Sequence, residues 1–288
     1  MPAVASIDGA IAPLAAAAVP LTDRGLLFGD HVFEVARVSR GWVVDGARHL
    51  ARLADAGAGF RLPPPPAALA GWITAAIAAA AEPEATLRVM WTAGDGAGLA
   101  RDPAARGRAI AIVEPWAPPA VVAPVRLVSR VIDRSGRGGA LVPATAKAGS
   151  YLASVLALDA ARAAGADDAL LIDDAGQVLE TATASVAIVD RRGVVIAAGA
   201  CLPGVTMARV GALATAFGVP VTAAVVDRAS LAQADEVFVT SSRRGVVAVA
   251  RIDDVAYAAG PRTAQIATAY DDWIVGGAQA DRPAAPAL

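Results

Sequence analysis

Lys147 is the only lysine in a chain of 288 residues whose other 24 Lys-or-Arg positions are all arginine. Arginine serves wherever a solvated positive charge is enough, but in proteins it neither deprotonates nor forms an imine with an aldehyde. Lysine does both. The single survivor therefore marks a place for amine chemistry, most often a Schiff base. Glu180, in VLETATAS, is a lone carboxylate between an apolar strand and a run of small residues. Such a position is usually buried, and a buried carboxylate needs a partner, a role that a protonated pyridine nitrogen would fill. The stretch LPGVTMARVGAL sets Gly204, Val205 and Thr206 at the start of a helix. Unpaired N–H groups and the positive end of the dipole make that start an anion site. TSSRRG, residues 240–245, adds two serine hydroxyls and backbone donors after a strand, a second place for a phosphate contact. Read one at a time, these features have plainer meanings: a loop lysine, a surface strand carboxylate, a helix start with a Thr cap, and a polar loop.

The elements that must position these groups fall into two parts. In the first, HVFEVARVS and GWVVDG read as a hairpin, followed by helices over ARHLARLADAGAGF and ALAGWITAAIAAAA with PPPP, residues 63–66, between them. Strands at ATLRVMWTA and RAIAIVEP complete it. The proline-rich EPWAPPAVVAP, residues 114–124, reads as an interdomain connector. In the second part VRLVSRVI is a strand and YLASVLALDAARAAG a helix closed by Gly165. Short strands follow at DALLID, VLETA, SVAIVD and VVIAAG, then a helix over TMARVGALATAFG and strands at PVTAAVV, EVFVTSS and GVVAVARID. The expectation is an α+β chain of two domains: a small α/β domain over residues 1–115 and a larger curved-sheet or pseudo-barrel domain over 125–288. The tail GGAQADRPAAPAL is expected to fray.

Composition narrows the function classes. A net charge of −2 with scattered arginines gives no basic footprint for nucleic acid. The apolar fraction is 56%, much of it alanine, and no run reaches the roughly 18 apolar residues of a membrane span. IAPLAAAAVPL carries two prolines, and Asp8 rather than a basic residue precedes it, so it does not read as a secretory leader. The single cysteine, Cys201, cannot form an intrachain disulfide, which fits a reducing cytoplasm. The two histidines, His31 and His49, stand in no metal-ligand spacing, so no metal site is expected.

Taken in order, DRGLLFGDHVFEVARV, RHLARL, KAGSY, LETATAS, LPGVT and ADEVFVTSS resemble the fold-type IV pyridoxal-phosphate enzymes. That family includes branched-chain and D-amino-acid aminotransferases, (R)-amine transaminases and aminodeoxychorismate lyase. The resemblance runs from about Asp23 to about Ile252. It implies that Lys147 forms the imine with pyridoxal 5'-phosphate and later moves the substrate Cα proton. Glu180 would keep the cofactor ring nitrogen protonated, so that the ring takes up charge. Arg52 would pair with the phosphate, with the backbone of Val205 and Thr206 and the hydroxyls of Thr206 and Ser242 completing the cup. Tyr151 would bond the ring hydroxyl. Arg24, Arg37, Arg88 and Arg243 fall on segments that line the pocket in relatives, with Arg88 and Arg243 the leading candidates for a substrate carboxylate.

The implied activity is a ping-pong aminotransferase acting on an amino acid, of branched-chain L or D type, and a 2-oxo acid, in a cytoplasmic homodimer. One alternative is 4-amino-4-deoxychorismate lyase, which would use the same Lys147 and Glu180; a more distant one is a non-catalytic ligand-binding homologue. The chain also departs from the family pattern. His31 stands where relatives commonly have the second glycine of GDGVFE, on a segment expected at the pocket mouth or dimer interface. Ser185 replaces a frequent asparagine, Thr86 a carboxylate-binding tyrosine, and Ala93 an arginine of one D-amino-acid type.

Overall fold

The computed structural model describes residues 3–132 and 142–276, which form two compact units. One comprises residues 3–118 together with 146–150 and Gly276, and the other residues 119–132, 142–145 and 151–275. The residues around Lys147 therefore group with the N-terminal part of the chain, although they lie in sequence beyond the connector.

The first unit opens with β1 (Val4–Ile7) and β2 (Ala10–Pro13), a hairpin that the sequence reading missed. Its signal is the Asp8-Gly9 pair, both at positive φ, a left-handed pair suited to a two-residue hairpin turn. A short 3₁₀ turn (Leu14–Ala16) and α1 (Arg24–Phe28) lead to β3 (His31–Ser39) and β4 (Trp42–Val43). The helices α2 (Gly46–Gly59) and α3 (Leu69–Ala80) then precede β5 (Glu84–Thr92) and β6 (Arg108–Pro115). The strands form one antiparallel sheet in the order β2-β1-β6-β5-β3-β4. Alternation decides its faces. Val32, Ala36 and Val38 of β3 and Leu87, Val89 and Trp91 of β5 join a core with Leu53 of α2 and Ile73 and Ile77 of α3. The opposite phase of β3 carries His31, Phe33, Val35 and Arg37, and that of β5 carries Thr86, Arg88 and Met90.

The second unit runs through β7 (Val125–Val131), α4 (Leu152–Ala163), β8 (Asp168–Ile172), β9 (Gln177–Thr181), β10 (Ser185–Asp190) and β11 (Gly193–Ala197). It continues with α5 (Val205–Ala216), β12 (Val221–Ala224), β13 (Val226–Asp227), α6 (Arg228–Ala232), β14 (Glu236–Ser241), β15 (Gly245–Ile252), β16 (Val255–Ala256) and α7 (Pro261–Gly276). Ten strands form a mixed sheet ordered β12-β11-β10-β14-β15-β7-β8-β9-β13, with β16 beside β15. The β11–β12, β15–β7 and β7–β8 pairs are parallel. As expected, α4 stops at Gly165, whose N–H meets the Arg162 carbonyl at 2.9 Å with φ at +77°. The helix α7 was not anticipated, although Pro261 at its first position is a start signal. The side chain of Glu236 accepts from the backbone N–H of Arg262 and Thr263 and so caps that helix. The tail read as frayed lies outside the described residues apart from Gly276.

Candidate active site

In the first unit, residues 147–149 run along the free edge of the start of β3. The Phe33 N–H donates to the Lys147 carbonyl and the Gly149 N–H to the His31 carbonyl, both at 2.9 Å, and Val32 bridges to Ala148. The half-buried Lys147 sends its Nζ over the Phe33 ring, 4.8 Å from the centre. Arg88 approaches the same ring, its guanidinium carbon 5.2 Å from the centre. Phe33 is buried and anchored in β3, so both cations meet an apolar wall with a negative face.

On the core face of β3, Glu34 is a charged residue in a phase otherwise taken by valine and alanine. Its partners come from one side of α2, where His49 and Arg52 stand three residues apart. Arg52 donates through Nε to Oε1 at 2.6 Å and through Nη2 to Oε2 at 2.7 Å, and His49 Nδ1 lies 2.7 Å from Oε2. Burial alone would raise the Glu34 pKa, but the hydrogen bonds and charges of Arg52 and His49 outweigh it and hold the carboxyl below its usual range. Neither Glu34 nor the role of His49 came out of the sequence reading. The available signal was a carboxylate in the buried phase of a strand, facing two basic residues on one helix face.

Two of the candidate arginines of this unit, Arg24 and Arg37, are engaged in ion pairs. Arg24 is buried, paired with Asp30 at 2.9 Å, and bonds the carbonyls of Gly98 and Leu99. Burial would raise the Asp30 pKa, but Arg101 and Arg24 together lower it. Arg37 pairs with Glu84 at 3.0 Å and stacks over Trp116. Arg88 is exposed. Thr86, opposite Arg37 in the sheet, is buried with a hydroxyl that meets no partner among the described residues.

In the second unit, Glu180 is half-buried beside a break in register: Leu171 faces Glu180 but Ile172 faces Val178. A bulge of this kind re-aims a strand side chain. Glu180 Oε2 accepts from the Leu202 N–H at 3.4 Å, in the loop that leads into α5. That helix has Gly204 at its N-cap with no side-chain cap, so the Thr cap considered from sequence is not formed. Val205 and Thr206 are buried in its first turn, and the Thr206 hydroxyl faces Ser242 Oγ at 3.5 Å. Behind them, Asp168 is buried and accepts from the hydroxyls of Thr181 at 2.9 Å and Thr183 at 2.5 Å. Arg244 donates to Thr183 at 3.1 Å. Strand β9, just past Glu180, is thereby tied to the turn that carries Ser242. Tyr151 is the half-buried N-cap of α4, and Arg243 is exposed.

Within the second unit, the uncapped start of α5 and the hydroxyls of Thr206 and Ser242 suit a phosphate. A Cβ at Gly204 would lie 2.4 Å from Ser185 Oγ. The bare helix start, with two convergent hydroxyls, is a cradle that a larger residue would fill, and it suits a phosphate without a cationic side chain. Gly204→Ala is expected to weaken pyridoxal-phosphate affinity by about tenfold, as measured by titration of the visible band. Unchanged affinity would contradict the cradle. Among the described residues, no group of three or more His, Cys, Asp and Glu could hold a metal ion.

Residues 31–252 match the family described as amino-transferase class IV. The chain is 31% identical over 244 residues to a putative branched-chain-amino-acid aminotransferase of Methanocaldococcus jannaschii, covering 82% of this chain and 83% of that protein. A Pseudomonas aeruginosa branched-chain-amino-acid aminotransferase is 31% identical over 137 residues, 46% of this chain and 44% of that protein's own length. The fold is similar to that of the T.th. branched-chain amino acid aminotransferase solved with N-(5'-phosphopyridoxyl)-L-glutamate, with a TM-score of 0.85, 25% identity, and coverage of 95% of this chain and 94% of that one. An Escherichia coli branched-chain aminotransferase gives a TM-score of 0.87 at 24% identity, covering 95% of each chain.

Proposed function

Because the chain belongs to the class IV aminotransferases, fold-type IV transaminases that use pyridoxal 5'-phosphate, we propose that it transfers an amino group from a branched-chain L-amino acid to a 2-oxo acid by a ping-pong mechanism. The observation that carries the reading is the family match over residues 31–252, which takes in every candidate site residue except Arg24. The name of the Methanocaldococcus relative supports the donor class, and the L-glutamate adduct in the T.th. structure supports its hand. Phe33, Val35 and Met90, on the same sheet face as Arg88, suit a substrate with an apolar side chain and a carboxylate.

When bound, pyridoxal phosphate supplies an aldehyde for the amino group and a ring that takes up charge. Lys147 supplies the amine that holds the aldehyde, and its Nζ takes the proton from substrate Cα. Glu180 keeps a proton on the ring nitrogen. Arg52, its fork held by Glu34, meets the phosphate with the first turn of α5 and the hydroxyls of Thr206 and Ser242. Tyr151 bonds the ring hydroxyl. Arg88, exposed on the same sheet face as Phe33, meets the substrate carboxylate together with Arg243, while Arg24 and Arg37 hold Asp30 and Glu84. The same reading takes the enzyme to be a cytoplasmic homodimer with an isologous interface. Among the described residues, no helix is long and apolar enough to cross a membrane.

Steady-state rates over a grid of L-leucine and 2-oxoglutarate concentrations test the proposal. Parallel double-reciprocal lines are expected. Release of pyruvate and 4-aminobenzoate from 4-amino-4-deoxychorismate without any added 2-oxo acid would instead indicate the lyase, and turnover confined to D-amino acids would overturn the assigned hand. Glu180→Gln should still bind cofactor stoichiometrically while kcat falls by about 10²–10³-fold, the scale of losing one preorganised electrostatic contact. Unchanged turnover in that variant would remove Glu180 from its role.

A further inference from the structure

We infer that His31 is a positioning residue for Lys147, its imidazole locking residues 147–149 onto the edge of β3 and so keeping Nζ over the Phe33 ring. The inference rests on the reading of Lys147 as the reactive amine. Five contacts carry it. The ring lies against the Cα of Gly149: a Cβ there would come 2.1 Å from Cε1 and 2.5 Å from both ring nitrogens. The backbone of the same residue accepts the Gly149 N–H at 2.9 Å. One step along, Val32 bridges to Ala148 and the Phe33 N–H bonds the Lys147 carbonyl. Finally, the His31 and Phe33 rings are neighbours, with centres 6.3 Å apart at a tilt of 53°.

Two rings on one face of β3 thus bracket the segment: His31 covers Gly149, and Phe33 underlies the Lys147 amine. With a residue lacking a side chain at 31, the strand-edge bonds would remain, but nothing would press on Gly149. The segment could then lift from the edge and carry the amine with it. Gly149 is the matching adaptation, since no side chain fits beneath the imidazole. Burial lowers the ring's pKa against the opposing pull of the Gly25 carbonyl, Asp23 and Asp30, while Arg88 also lowers it. A neutral ring is compatible with a lysine amine and Arg88 in the same neighbourhood. Nδ1 is buried and meets no partner among the described residues, so the contact with Gly149 is one of shape.

The sole lysine makes the test direct, because full-length protein labelled with ¹³Cε-lysine gives one lysine signal. In the wild type, before cofactor is added, the Lys147 ε-protons should be displaced upfield by the Phe33 ring current. In His31→Gly the signal should move toward the position of a free lysine. In His31→Phe, which keeps a flat ring over Gly149, it should stay near the wild-type position. In holo His31→Gly, kcat should fall about ten- to a hundredfold, the cost of a misplaced reacting group, while the donor KM changes little. An unmoved ε-signal in His31→Gly, or a fall in rate expressed wholly in KM, would overturn the inference. A colourless, inactive wild type would sink the aminotransferase reading instead, and the two failures are read from different samples.

Discussion

Lys147→Ala should yield a folded protein that never turns yellow and whose transamination rate is lower by at least about 10²–10⁴-fold, the range lost with a positioned proton-transfer group. Two functions disappear together, because one amine both holds the aldehyde and moves the Cα proton. Lys147→Arg should fail equally. Its charge and length are close, and a cation over Phe33 could be retained at the 4.8 Å distance seen for the amine, but a guanidinium cannot deprotonate or form the imine. This variant separates chemistry from electrostatics. Rescue of Lys147→Ala by a small primary amine such as methylamine, with a rate that rises with amine concentration, would show that only the proton-transferring group had been removed. Absorbance between 400 and 450 nm and single-turnover rates measure these outcomes. Substantial activity in Lys147→Arg would show that the chain's one lysine is not the reactive group.

Glu34→Ala should be the most destabilising single change around the site. Glu34 is 2% exposed and holds both Arg52 and His49. Removing it leaves a guanidinium that is 13% exposed without its carboxylate, and breaking a buried pair from one side costs about 3–5 kcal/mol. Calorimetry should show Tm lower by about 10 °C, with cofactor affinity falling because Arg52 is no longer held. The pH dependence has a definite sign. The Glu34 pKa is depressed on folding below its ordinary value of 4.5. Its stabilisation is therefore complete above that value and is lost as the pH falls through the lower folded one. The Tm gap between wild type and Glu34→Gln should be widest near neutrality and narrow in acid. A gap that widened in acid would contradict the assigned network.

Much of this was legible in the sequence. The β3–β4 hairpin, the helices α2 and α3 and the run of short strands around Glu180 were visible because apolar alternation and turn residues agree locally with the fold. Lys147 stood out by composition, and the start of α5 by a glycine and a threonine ahead of an apolar repeat. What escaped notice depends on contacts between residues far apart in sequence. The bulge that re-aims Glu180 exists only in the pairing of β8 with β9. The attachment of residues 147–149 to β3 joins segments more than 100 residues apart. The engagement of Arg24 by Asp30 and of Arg37 by Glu84 could not be told from availability without the strand register. The first hairpin and α7 were missed for another reason: their signals, Asp8-Gly9 and Pro261, lie in alanine-rich stretches where periodicity is weak.

The central claim is that the chain's one primary side-chain amine carries the cofactor. Borohydride treatment of the yellow holoenzyme, followed by proteolysis and mass spectrometry, tests it most directly. The predicted result is loss of the visible band, with the mass of the reduced cofactor added to the single peptide that contains Lys147. A reduced adduct found only on the N-terminal amine, or no adduct on a protein that nevertheless transaminates, would contradict it.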